Sequence, residues 1–225
     1  MKKNFTRIIS AFLAFVMVLT MGLAGSTVNV EAASKKDVYF ASYNPKVITY
    51  STKDNYKNYY TYLYITGCTK KSEIKNLKSS NKNMKVEAQN GYIKVYFHDK
   101  AEKTTISCKV KGVKLSTTLK VKKYSNPCKS IKLGSKNFTS KFSNYWEYKQ
   151  TKTFKNQKLN IQMNKNWKIT SIYVYNSSGS QYFTVNSNKF NKKISLKGSY
   201  SYVDVYCYNS KDKCYEVLTL KKSST

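Results

Sequence analysis

Thr104-Thr-Ile-Ser-Cys-Lys-Val-Lys-Gly-Val-Lys-Leu-Ser-Thr-Thr-Leu-Lys-Val121 decides the fold. Apolar and polar residues alternate on both sides of Lys111-Gly112, the pattern of two half-buried strands joined by a two-residue turn. Pairing Val110 with Val113 gathers Ile106, Cys108, Val110, Val113, Leu115, Leu119 and Val121 on one face, with Thr117 its one polar member. Thr105, Ser107, Lys109, Lys114, Ser116, Thr118 and Lys120 take the other. A slip of one residue would exchange the two sets, so burial fixes the register. A sheet that is apolar on one side must bury that side. With almost no 3.6-residue periodicity after the first residues of the chain, the covering layer is a second sheet.

The same alternation recurs at 47–50, 59–66, 84–88, 92–97, 129–133, 159–163, 168–175, 181–185, 193–196, 200–208 and 215–220. With the hairpin this makes about thirteen strands, too many for one seven-stranded sandwich and suited to two. A seam falls at Tyr124-Ser-Asn-Pro-Cys128, where Pro127 follows a strand ending in Lys122-Lys123.

The chain opens with Lys2, Lys3 and Arg7, then an apolar run from Ile8 to Gly25, then small residues up to Val30-Glu31-Ala32. That order predicts an export signal over 1–32, cleaved between Ala32 and Ala33. An uncleaved transmembrane anchor is the competing reading of the same run. The first cysteine, Cys68, is too far along for lipidation, so the processed chain is expected to have no membrane span and to be secreted, extracellular or loosely held on a Gram-positive-like wall. Removing residues 1–32 takes away Lys2, Lys3, Arg7 and Glu31, leaving 38 lysines against 10 acids, a charge of +28 over 193 residues. Arg7 is the only arginine, so no planar fork remains for bidentate reading of guanine, and sequence-specific nucleic-acid binding is disfavoured. A/T-rich codons account for the Lys, Asn, Tyr and Ile content as readily as function does. Whatever its origin, the charge is a field that anionic cell-wall polymers or other polyanions would feel, without specificity and with sensitivity to salt.

Five cysteines, Cys68, Cys108, Cys128, Cys207 and Cys214, follow the signal. Export permits disulfides, and the odd number leaves at least one thiol over. Cys207 and Cys214 sit symmetrically about Ser210-Lys211 and are expected to face each other across a hairpin, either bridged or as two small core residues. Cys68 with Cys108 is a second candidate bridge, and Cys128 is read as free. There is no CxxC pair, and the single His98 is near none of the cysteines, so no zinc ligand set exists and no cofactor is expected.

His98-Asp99 are adjacent, but neighbours in an extended chain point apart and form no dyad. Glu147 and Asp204 make a carboxylate pair only if the fold brings them together. No glycine-rich phosphate loop, Gly-x-Ser-x-Gly elbow or Cys–His couple occurs, and the sequence is read as non-enzymatic. Aromatic residues are plentiful: 21 Tyr, 10 Phe and 2 Trp. Alternate tyrosines along a strand form a stripe that stacks on sugar rings or simply paves a sheet face. In Tyr59–Ile65, Tyr59, Leu63 and Ile65 are expected inside, and Tyr60, Tyr62 and Tyr64 outside. Tyr145, Trp146 and Tyr148 are the carbohydrate-stacking candidates, and Trp167 is assigned to the core.

The first half resembles the group 2 bacterial immunoglobulin-like domains of exported Gram-positive proteins. The resemblance rests on Ile65-Thr66-Gly67, Lys78-Ser79-Ser80-Asn81, Val86, Gly91, Ile93 and the 104–121 hairpin. Leu77 stands where that family usually has Trp, and Glu102-Lys103 replace its usual glycine. The second half, through Lys129-Ser-Ile-Lys-Leu133 and Asn166-Trp167-Lys168-Ile169, looks like a related sandwich. The resemblance implies immunoglobulin-like modules serving as a spacer, adhesive or binding unit. Together with the strand count and the seam, the expectation is an all-β chain of two tandem immunoglobulin-like β-sandwiches, 33–123 and 124–225, with a glycan or protein ligand as the alternative to the polyanion that the charge suggests.

Overall fold

The computed structural model describes residues 37–53 and 59–223. The expected signal, its Ala32–Ala33 cleavage point and Tyr56 lie outside the described residues. Those described form seventeen strands and two short 3-10 turns, with no α-helix among them. The chain is all-β.

It divides into two compact units. The described residues of the first are 37–48 and 59–121, and those of the second are 49–53 and 122–223. The first eight strands are β1 (Tyr39–Phe40), β2 (Val47–Tyr50), β3 (Tyr59–Thr66), β4 (Ile74–Ser79), β5 (Val86–Gln89), β6 (Tyr92–Phe97), β7 (Glu102–Val110) and β8 (Val113–Lys123). They form two four-stranded sheets, ordered β1-β3-β6-β5 and β2-β8-β7-β4. Val110 pairs with Val113 and Cys108 with Leu115, the register that the alternation requires. Lys111 and Gly112 turn the chain with φ of 46° and 86°, both in the left-handed region that matches strand twist at a two-residue turn. Ile106, Val110 and Leu119 from one sheet, and Leu63, Ile93 and Val95 from the other, are withdrawn from water. Each such side chain contributes roughly 1.5–3 kcal/mol.

The remaining strands are β9 (Cys128–Leu133), β10 (Lys136–Asn137), β11 (Glu147–Gln150), β12 (Phe154–Met163), β13 (Trp167–Asn176), β14 (Gly179–Ser187), β15 (Lys189–Leu196), β16 (Tyr200–Asn209) and β17 (Cys214–Ser223). One sheet runs β10-β9-β12-β15 and the other β11-β17-β16-β13-β14, with β11 parallel to β17. Ile131, Leu133, Leu159 and Leu196 face Ile172, Val174, Val205 and Leu218 in the core. The bulge between Ile169 and Ser171 keeps Ile169 inside, although the strand's alternation would otherwise turn it out.

The cysteines depart from expectation. Cys207 is opposite Glu216, and Cys214 is opposite Asn209. The turn is built by Asn209, whose Oδ1 accepts from the backbone N–H of Lys211 and Asp212 at 3.0 Å each, and this carries the pairing two residues away from the symmetric one. Cys207 and Cys214 therefore become diagonal neighbours, which stand about 7–8 Å apart, beyond disulfide reach. Cys68 and Cys108 share the core of the first unit without a bridge, and all five cysteines are buried, none in a disulfide.

Candidate functional site

Of the residues singled out for sugar stacking, Trp146 is buried, while Tyr145 and Tyr148 are half-buried. Trp146 is only 7% exposed, lying edge-on to Tyr124 at 5.9 Å and against Tyr145 at 4.6 Å, while its carbonyl accepts from Thr219 N–H at 2.8 Å. A ring enclosed in this way offers no face to a saccharide. Tyr148 leans on Phe138 at 6.0 Å with Lys141 Nζ 5.5 Å over its ring. Trp167, assigned to the core from sequence, is half-buried.

What the fold displays is tyrosine. On β3, Tyr59 is buried and stacked on Phe97 at 5.3 Å, with Leu63 and Ile65 also inside, so Tyr60, Tyr62 and Tyr64 project outward as the alternation dictates. Antiparallel β6 places Tyr96 opposite Tyr60, Lys94 opposite Tyr62 and Tyr92 opposite Tyr64. The rings touch in sequence: Tyr60–Tyr62 at 5.4 Å, Tyr62–Tyr92 at 5.0 Å, Tyr64–Tyr92 at 5.6 Å, and Tyr43–Tyr64 at 5.8 Å. Lys94 Nζ stands 4.2 Å from the Tyr60 centroid and 4.7 Å from that of Tyr96, within cation–π range of both. Tyr96 Oη donates to Glu87 at 2.9 Å, and Lys85 pairs with the same carboxylate at 2.9 Å. Burial, and then the neighbouring Tyr60, push the Tyr62 phenol up to about 12. The face carries aromatic rings and cations together.

A second tyrosine face belongs to the five-stranded sheet of the other unit. Along β16, Tyr200, Tyr202, Tyr206 and Tyr208 point to the side opposite the core, joined by Tyr173 and Tyr175 of β13. Tyr175 stacks on Tyr202 at 5.2 Å, Tyr200 meets both within 6.0 Å, and Lys221 Nζ lies 4.9 Å over Tyr200. Tyr200 and Tyr182 are 43% and 44% exposed.

The position in the β16 stripe between Tyr202 and Tyr206 is Asp204. Its row reads Glu147, Thr219, Asp204, Tyr173, Tyr182 across five strands, so the carboxylates of Glu147 and Asp204 do share a face. Thr219 separates them: it is buried between the two strands, and its Oγ1 donates to Asp204 Oδ1 at 2.6 Å. The space where a substrate would lie between acid and base is thus filled by a side chain. Asp204 is 8% exposed, and burial pushes its carboxyl up to about 6, with Glu147 adding to the shift and the Thr219 hydrogen bond opposing it. His98 and Asp99 are exposed in the loop after Phe97. No group of His, Cys, Asp and Glu among the described residues is arranged to hold a metal ion, and no helix among them is long and apolar enough to cross a membrane.

No family model matches the chain, and no curated protein matches it. Several solved structures are similar to it. A bovine butyrophilin is 5% identical, covering 84% of this chain and 99% of its own, with a TM-score of 0.28. Human protocadherin-24 EC1-2 is 9% identical over 84% and 97%, at 0.28. The CbhA fibronectin(III)-like modules of Clostridium thermocellum are 10% identical over 84% and 94%, at 0.30. At those scores the likenesses carry no argument about this chain's chemistry, and the layering is read from its own sheets.

Proposed function

We propose that the protein is a secreted, non-catalytic surface or adhesion module, loosely retained on anionic cell-wall polymers by its lysines. The observation that carries this reading is the outer face of β3 and β6. There Lys94 is held over two tyrosine rings, so that cations and stacking surfaces lie side by side. A polymer of sugars or polyols linked by phosphate offers both complements, and +28 over 193 residues supplies the long-range attraction. The filled gap at Thr219 supports a binding rather than a catalytic role for the second face.

The test is co-sedimentation with isolated Gram-positive walls across a salt series. Retention is expected at low ionic strength, with collapse by about 0.5 M NaCl as screening shortens to a few ångströms. Lys94→Ala should move the midpoint to lower salt. No sedimentation even in dilute buffer would remove the proposal. A second reading, carbohydrate binding by exposed tyrosines, is favoured by the accessible rings of Tyr182 and Tyr200. It requires glycan-array binding that survives high salt and is lost in Tyr200→Ala.

A further inference from the structure

Sheet edges expose unpaired N–H and C=O groups, and proteins guard them by shortness, charge or bulges. Nearly every edge here is guarded. β1 and β10 have two residues each; β2, β5 and β11 have four each, with Glu87 on β5 and both Glu147 and Lys149 on β11. β4 carries Lys75 and Lys78 and a bulge between them. β15, eight residues long, carries Lys189, Lys192 and Lys193.

β14 is the one long edge among the described residues that carries no charge. It ends the five-stranded sheet and contains no proline; its pairing with β13 gains one residue between Thr184 and Ser187, where Asn186 has φ 48°, so the regular, unguarded part of the edge runs from Gly179 to Thr184. It lies within the uncharged stretch 169–188, twenty residues long in a chain with 41 basic groups. Ser180, Tyr182 and Thr184 are exposed on the tyrosine side of the sheet, while Phe183 and Val185 are half-buried on the other, Phe183 meeting Phe190 at 5.3 Å.

We infer that β14 is a homotypic docking edge, where a second copy of this chain adds its own β14 antiparallel to form a two-fold dimer with one continuous sheet. Antiparallel pairing of identical strands is self-complementary, as a two-fold interface demands. Charge selects the occupant. An acidic strand would be drawn to the lysine-bearing edges of β4 or β15, whereas two chains of +30 can approach closely only where neither presents a cation. The pairing sets the Tyr173–Tyr182 rows of the two copies end to end. It does not depend on the wall-binding reading.

The experiment is light-scattering mass measurement of the purified chain against concentration and salt. The expected result is a shift toward twice the chain mass at micromolar concentration, promoted by added salt, the reverse of the salt effect on wall retention. Thr184→Lys and Ser180→Lys, both on exposed positions and checked for an unchanged circular dichroism spectrum, should each remain monomeric. Thr105→Lys, on an exposed position of β7, should still dimerise. A wild-type chain that stays monomeric at every salt concentration overturns the inference, as does a dimer indifferent to both β14 lysines.

Discussion

Asp204 sits where the stripe of tyrosines along β16 skips one ring, and its surroundings oppose its charge. Burial raises its folded value from an ordinary 3.8 to about 6. Below pH 3.8 both folded and unfolded forms bind the proton, so the group has no effect on stability. Between pH 3.8 and 6 the unfolded chain ionises first and stability falls, and above pH 6 the penalty is constant. Asp204→Asn keeps an acceptor for Thr219 and is expected to stabilise the protein by on the order of 2 kcal/mol at pH 7.5. The gain should vanish near pH 4, as measured by urea unfolding at both pH values; equal gains at both would contradict a desolvated carboxylate. Glu73 works in the opposite sense. The backbone N–H groups of Thr69 and Lys70 hold it down to about 2, so its contribution is present above its ordinary 4.5 and is lost as pH falls toward 2. The thiols are similarly placed out of reach. Burial pushes Cys108 up to about 11, Cys128 to about 12, and Cys207 well above the usual thiol range. Iodoacetamide at pH 8 should leave the folded chain unlabelled and add five groups after denaturation. A shortfall of two groups without reductant would reveal a bridge.

At the scale of elements, the hairpin of β7 and β8 was legible in full because alternation and an appropriate turn coincide. Gly112 at φ 86° has open space around it, so Gly112→Ala strains only the backbone and should cost about 1 kcal/mol in chemical denaturation. Elements without that coincidence were hidden. β4 reads Ile74-Lys-Asn-Leu-Lys-Ser, where the bulge and Asn76 at φ 53° place Ile74 and Leu77 out of period, leaving no two-residue pattern to find. β11, Glu147-Tyr-Lys-Gln150, is too polar and short to register, and it owes its existence to parallel pairing with β17. Trp146 precedes that strand and is buried. Local composition makes it look exposed, since what covers it comes from Tyr124 and β17. Trp146→Ala is accordingly expected to destabilise by about 3–5 kcal/mol, a loss seen in thermal unfolding rather than in ligand affinity alone. The tyrosine stripes were readable strand by strand. Their continuity across β3 and β6, or β13 and β16, was not, because it depends on register between distant segments.

For the molecule as a whole, the second unit does not begin where its long run of sequence begins. Residues 49–53 belong to it, and a seam read from composition has no means of assigning them. Tyr50 accepts from Tyr124 N–H at 2.7 Å, Ser51 Oγ donates to Asn144 C=O at 2.7 Å, and Thr49 Oγ1 donates to the buried Glu216. Production of 122–225 alone removes all three, and its urea midpoint should drop by the equivalent of about 2–4 kcal/mol relative to the same unit in the intact chain. Equal midpoints would show those bonds to be idle. Such interleaving has an evolutionary corollary. A recombination breakpoint near 121 would hand the recipient a sandwich missing part of its own fabric.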